Sequence, residues 1–133
     1  DDDKAKYEVG AMENSCPLCQ PGQMVAETDY WVLMWDEYPV SEGHMLVVLK
    51  RHTDDFWGLS TEEWHDLHLA MEEAKKMIDD QFAPEGYNIG SNLGEVAGQT
   101  VPHVHVHLIP RYQGDHANPR GGIRNVRDPL VDY

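Results

Sequence analysis

Positive charge is scarce in this chain: ten Lys and Arg stand against 24 Asp and Glu, for a formal net charge of −14 at pH 7. The opening Asp1-Asp2-Asp3-Lys4 reads as the end of an enterokinase-cleavable tag, and setting aside its three acids and one Lys leaves −12. Either balance excludes a broad nucleic-acid surface, because a phosphate track needs clustered Lys and Arg. A small phosphorylated ligand is still admissible in a pocket of backbone N–H groups and imidazoles, with the acidic surface slowing its arrival. Long apolar runs are missing as well. The stretch Met45 to Leu49 falls far short of the ~20 residues of a membrane span. No charged, then apolar, then small-residue leader opens the chain, so the expectation is a cytoplasmic protein without a membrane partner. Cysteine is limited to Cys16 and Cys19. Residues this close together and this near the N-terminus staple little chain, so zinc or redox chemistry fits them better than a structural disulfide.

What is present suggests one domain. A chain of 133 residues with 41% hydrophobic and 26% charged residues has room for a single core. Gly10, Pro17, Pro21 and Gly22 mark residues 5 to 24 as a loop around the cysteine pair. Tyr30 to Trp35 and Met45 to Leu49 are rich in strand formers, and Pro39 and Gly43 between them mark the turn of a hairpin. Ser60-Thr61-Glu62-Glu63 has the form of a capping box and opens a long helix. Trp64, Leu67, His68, Met71, Ala74 and Ile78 recur at helical spacing as its apolar face, and Pro84 and Gly86 end it. Tyr87 to Ser91 and His103 to Pro110 are further strands, and the tail from about 113 reads as an extended arm carrying Arg120, Arg124 and Arg127. Strands, one long helix, then more strands predict an α+β fold: a mostly antiparallel sheet of about five strands over residues 5–133 with a short or irregular N-terminal segment.

The most informative stretch is His103-Val104-His105-Val106-His107. On a strand, alternate side chains share a face about 6.6 Å apart, so three imidazoles stand together while Val104, Val106 and Leu108 pack behind them. A merely solvent-facing polar side does not call for three histidines. A His-x-His metal chelate of the cupin kind is a second reading, although the long capped helix fits an all-β barrel poorly.

Asn92 through Pro102, with Gly98-Gln99-Thr100 leading into the histidine row, resembles the signature of the histidine-triad (HIT) superfamily. Gly43-His44 before an apolar strand, with Asp36 eight residues earlier, resembles the nucleoside-binding half of that family, and Pro119 to Arg124 is similar to bacterial members. The resemblance covers roughly residues 16 to 112. It implies that His105 is a nucleophile, holding Nδ1–H on the His103 carbonyl and attacking an α-phosphorus through Nε2 to form a nucleotidyl-histidine. By the same resemblance His107 donates to phosphate oxygens and His44 supports the triad. Gln99, Thr100 and the Gly98 loop cradle phosphate, Asn92 is a further substrate-binding position, and Asp36 accepts from ribose hydroxyls. It also implies a structural zinc on Cys16, Cys19, His52 and His103, with all four positions filled. The redox alternative would place Cys-x-x-Cys at the start of a helix after a strand, and that context is missing. No organic cofactor is expected.

The flanks Gly98-Gln99-Thr100 and Ile109-Pro110-Arg111 are similar to dinucleoside polyphosphate hydrolases, whereas Asn92 is similar to the nucleoside phosphoramidase branch. Phosphorolysis, nucleotidyl transfer and a non-catalytic nucleotide-binding module stay open beside these. The resemblance further implies a homodimer acting on a small nucleotide rather than a nucleic-acid polymer.

Overall fold

The computed structural model describes residues 16–20, 24–127, 131 and 132. The tag-like tetrapeptide, and most of the loop expected over residues 5 to 24, lie outside the described residues. Five strands, β1 (Met24–Glu27), β2 (Trp31–Trp35), β3 (Met45–Leu49), β4 (Gly86–Gly90) and β5 (His105–Arg111), form one antiparallel sheet in the order β1-β2-β3-β5-β4. Among the described residues one long helix, α1 (Thr61–Phe82), packs on one face. The α+β expectation holds. No helix among the described residues is long and apolar enough to cross a membrane.

Strand β3 is buried at all five positions because both its faces are covered. Met45, Val47 and Leu49 meet α1 in the main core with Trp31, Leu33, Val106 and Leu108, while Leu46 and Val48 join Met34 on the opposite face. That second face carries the site. Strand β1 was not legible in the sequence: it is a four-residue edge strand exposed at three positions, so no alternation marks it.

Helix α1 begins with the expected capping box, Ser60 Oγ accepting from Glu63 N–H and Glu63 Oε1 accepting from Ser60 N–H. Its buried face differs from the expected one by about one position. Glu63, Asp66, Leu67, Ala70, Ala74 and Ile78 face inward, whereas Trp64 and His68 are exposed. The cause is polar anchoring. Arg51 binds the Glu63 carboxylate through two nitrogens at 2.9 and 3.0 Å. Asp66 accepts from Thr28 Oγ1 at 2.7 Å and Tyr30 N–H at 2.8 Å. These bonds turn two acidic residues toward the sheet, where their partners compensate the loss of water. The helix ends at Phe82, with Ala83 in the left-handed region at φ 50° before Pro84.

Gly43 ties helix to site. Its φ is +87°, and a Cβ there would lie 2.7 Å from the Phe82 ring and 3.3 Å from Ile78. Only glycine lets the β2–β3 turn run against α1 and deliver the next residue, His44, into the interior.

Candidate active site

The histidine row is split between two places. The β5 ladder begins at His105, not at His103. Val104 is held instead by Thr53 O and Leu49 N–H, at 2.7 and 3.1 Å, so the loop after β3 fixes the chain there. His103 is buried and packs its ring on His52, whereas His105 packs on His107 and His107 on His44.

A backbone group fixes the tautomer of His103, His105 and His44, because a carbonyl only accepts and an amide N–H only donates, and His44 in turn fixes that of His107. His103 Nε2–H donates to Leu49 O at 2.6 Å, leaving Nδ1 bare. His105 Nδ1–H donates to His103 O at 2.6 Å, leaving Nε2 bare. Val40 N–H donates to His44 Nδ1 at 3.0 Å, so neutral His44 carries its proton on Nε2. That proton is donated to His107 Nδ1 at 2.9 Å, which leaves His107 with its own proton on Nε2. The pocket is thus lined by one ring with an unprotonated nitrogen, Nε2 of His105, and one with an N–H, Nε2 of His107.

Burial favours the neutral form of His107, His44 and His103. His107 is pushed down to about 4 by desolvation first and then by the repulsion a second positive charge would meet from His105 and His44, with Asp36 opposing. His44 is lowered by burial, again against Asp36. His103 is pushed down to about 4, chiefly by burial, despite its bond to the Leu49 carbonyl.

His105, His107, His44, Asp36, Asn92, Gln99 and Thr100 all line one pocket of about 680 Å³. Gly98 does not. It closes the Glu95–Ala97 turn at φ +95°, shaping the loop rather than facing the cavity. The Gln99 amide is engaged inside that loop, its oxygen accepting from Gly94 N–H at 2.8 Å and its nitrogen donating to Val101 O at 3.2 Å. Asp36 caps the β2–β3 turn by accepting from Tyr38 N–H at 2.7 Å and turns its other oxygen to His44 Nε2 at 3.3 Å. Ser91 escaped the sequence reading. Its hydroxyl donates to the His105 carbonyl at 2.7 Å and braces the strand at the candidate nucleophile. No motif announces it, because its partner is a main-chain atom.

Cys16, Cys19, His52 and His103 form a separate cluster whose ligand atoms all lie within 4.8 Å of one another. Cys19 Sγ and His103 Nδ1 each stand 3.1 Å from His52 Nδ1, and both sulfurs stand 3.5 Å from His103 Nδ1. A tetrahedral zinc, with bonds of about 2.0 Å to nitrogen and 2.3 Å to sulfur, spaces its donors roughly 3.3 to 3.8 Å apart. The bare, buried Nδ1 of His103 facing three more donors is what a cation would satisfy, so the residues fit a metal.

A HIT domain family model matches residues 18–114, the segment that holds the sheet, α1 and the triad. The chain belongs to the HIT family. Among its relatives, a HIT-like protein of Methanocaldococcus jannaschii is 36% identical over 107 residues, 80% of this chain and 82% of that one. A zinc-bound histidine triad family protein of Mycobacterium smegmatis superposes with a TM-score of 0.69 at 28% identity, covering 80% of this HIT chain and 81% of its own. Several relatives carry named activities. Adenosine 5′-monophosphoramidase hnt1 of Schizosaccharomyces pombe is 36% identical over 73% of this chain and 74% of its own. A bis(5′-nucleosyl)-tetraphosphatase of the same yeast is 40% identical over 58% of this chain and 42% of its own. The AP-4-A phosphorylase of Mycobacterium tuberculosis is 33% identical over 72% of this chain and 50% of its own.

Proposed function

We propose that this HIT protein is a nucleotide hydrolase or transferase working through a nucleotidyl-histidine, and that its substrates are dinucleoside polyphosphates. The observation that carries the reading is the His105 tautomer: Nδ1 is tied to the His103 carbonyl, and the bare Nε2 belongs to a ring lining the pocket. In the first step, Nε2 forms a bond to the α-phosphorus while the bond to the leaving polyphosphate breaks, and the electron pair leaves with the departing oxygen. His107 Nε2–H donates to the phosphate oxygens as their charge grows. Water then adds to phosphorus, the N–P bond breaks, and the water's proton is lost to solvent. Mononucleotide is released and neutral His105 is restored. Thr100 and the loop N–H groups around Gly98 hold phosphate, with Gln99 keeping that loop in shape, and Asp36 takes the ribose hydroxyls.

The relatives' names support nucleotide chemistry but divide over the bond broken. Phosphoramidates are the second reading, because Asn92, which lines the pocket, is similar to that branch, although zinc-type bacterial members carry Asn there as well. Products from a dinucleoside tetraphosphate and from an adenosine phosphoramidate, measured side by side, decide between them. Faster turnover of the phosphoramidate would reverse the assignment, and inertness toward both would leave a nucleotide-binding module. The Cys16, Cys19, His52 and His103 cluster holds zinc in this account, filled at all four positions and therefore structural. When bound, the metal supplies a cross-link between the Cys-x-x-Cys turn and the start of β5. A homodimer completes the proposal, supported by the outer strand β4, where Ile89 is half exposed.

A further inference from the structure

The cysteine turn belongs to two sites at once. Its sulfurs stand 3.1 to 3.5 Å from His52 and His103, while Pro17 and Leu18 between them line the pocket. Leu18 packs on the Met34, Leu46 and Val48 cluster, on the sheet face away from α1.

Register polarises that face. His107 is paired across the ladder with Leu46, and Leu46 with Met34; His105 is paired with Val48. Crossing from β5 to β3 to β2, imidazole therefore gives way to Leu46 and then to Met34. Two strand spacings, roughly 10 Å, separate the triad from the apolar end, which leaves room for a ribose between phosphate and base. Asp36, directly after β2, lines the same pocket on the histidine side, its carboxylate 3.3 Å from His44 Nε2 and 3.9 Å from His107 Nδ1.

We infer that the Pro17–Cys19 turn is the wall of the base subsite, and that the metal tetrad is what holds that wall in place. The inference rests on the nucleotide reading of the pocket. With metal, each sulfur is bonded as a thiolate at either end of a three-residue turn. Without it, the same sulfurs meet His52 and His103 through weak thiol contacts instead of metal bonds. Metal loading then governs how tightly a base is bound, through Pro17 and Leu18. The triad keeps its own anchors, since the carbonyls of Leu49 and His103 and the Val40 N–H are not part of the tetrad's donor set.

Two probes that share ribose and phosphate separate the base subsite from the rest: adenosine 5′-monophosphate and ribose 5-phosphate. Each is titrated calorimetrically into metal-loaded and chelator-stripped protein, with metal per chain measured in both samples. Stripping should weaken the nucleotide about ten-fold or more and leave ribose 5-phosphate within about two-fold. Leu18→Ala, loaded with metal, should reproduce the selective loss with its metal content unchanged. If the stripped protein loses its circular dichroism signature, that variant carries the test by itself. Equal nucleotide affinity with and without metal, equal loss for both probes, or a silent Leu18→Ala each overturns the inference. Failure of the loaded protein to bind the nucleotide at all overturns the nucleotide reading itself, which is a different result.

Discussion

Replacing His44 by Phe should disable His107 without touching His105. His44 is 3% exposed, and burial keeps it neutral, so the change removes no charge. What it removes is the Nε2–H that occupies His107 Nδ1 at 2.9 Å and thereby keeps the His107 proton on Nε2. Without that donor, Asp36 Oδ2 at 3.9 Å from His107 Nδ1 becomes the attractive partner. It accepts, so the His107 proton moves to Nδ1. The Nε2 then has a lone pair where the mechanism needs a donor. One hydrogen bond to a charged phosphate oxygen is worth about 1.5 to 3 kcal/mol, so kcat/KM should fall roughly 10- to 150-fold. Single-turnover rates would read the loss, and ring ¹⁵N shifts of His107 would read the tautomer in the free protein. The substitution also strands the Val40 N–H at a local cost of about 1 to 3 kcal/mol in stability, so the fold should be checked alongside. His44→Gln, which restores a donor, should recover part of the rate. An unchanged rate in His44→Phe with His107 still protonated on Nε2 would refute this proton chain.

Elemental analysis of protein purified without chelator should find about one zinc per chain, lost in Cys16→Ala and in His52→Ala; a metal-free protein with both thiols reactive would end the zinc assignment. Ile78→Ala opens a cavity at a fully buried position facing Gly43, and urea denaturation should show a loss of about 2 to 5 kcal/mol. Acid should also destabilise the fold. His107, outside the metal tetrad, is pushed down to about 4 in the fold against 6.5 when unfolded, so the unfolded chain binds that proton first as pH falls. Its stabilisation is complete above about pH 6.5 and is lost toward about pH 4, and urea midpoints should decline across that window. Midpoints that stay level there would mean that the ring is not held neutral.

The sequence was readable where a local rule and the tertiary structure agree. The capping box at Ser60 and the β2–β3 hairpin appear as expected, because cap and turn chemistry act over a few residues. The alternation behind the histidines survives too, with Val104, Val106 and Leu108 all buried. The helix face was misjudged because hydrophobicity alone points Trp64 and His68 inward, whereas partners distant in the chain, Arg51, Thr28 and Tyr30, claim Glu63 and Asp66. Strand alternation alone made the triad a uniform row, whereas the chain leaves the ladder before His105; the grouping of His103 with Cys16, Cys19 and His52 came from the family resemblance and is the one the structure shows. The tautomers were legible only in part. The bond from His105 to His103 O follows from family resemblance, but those to Leu49 O and Val40 N–H depend on register and turn geometry that no side-chain pattern encodes.

In the proposed reaction His105 carries the nucleotidyl group. The direct measurement is a rapid base quench of the protein with a dinucleoside polyphosphate, followed by peptide mapping by mass spectrometry. The account expects one nucleoside monophosphate adduct, on the peptide holding His105 and assigned to that ring. His105→Asn should lose both the adduct and several orders of magnitude in rate, while mononucleotide binding stays within about a few-fold. An adduct on His103, His107 or His44, or near-native turnover by His105→Asn, would contradict it.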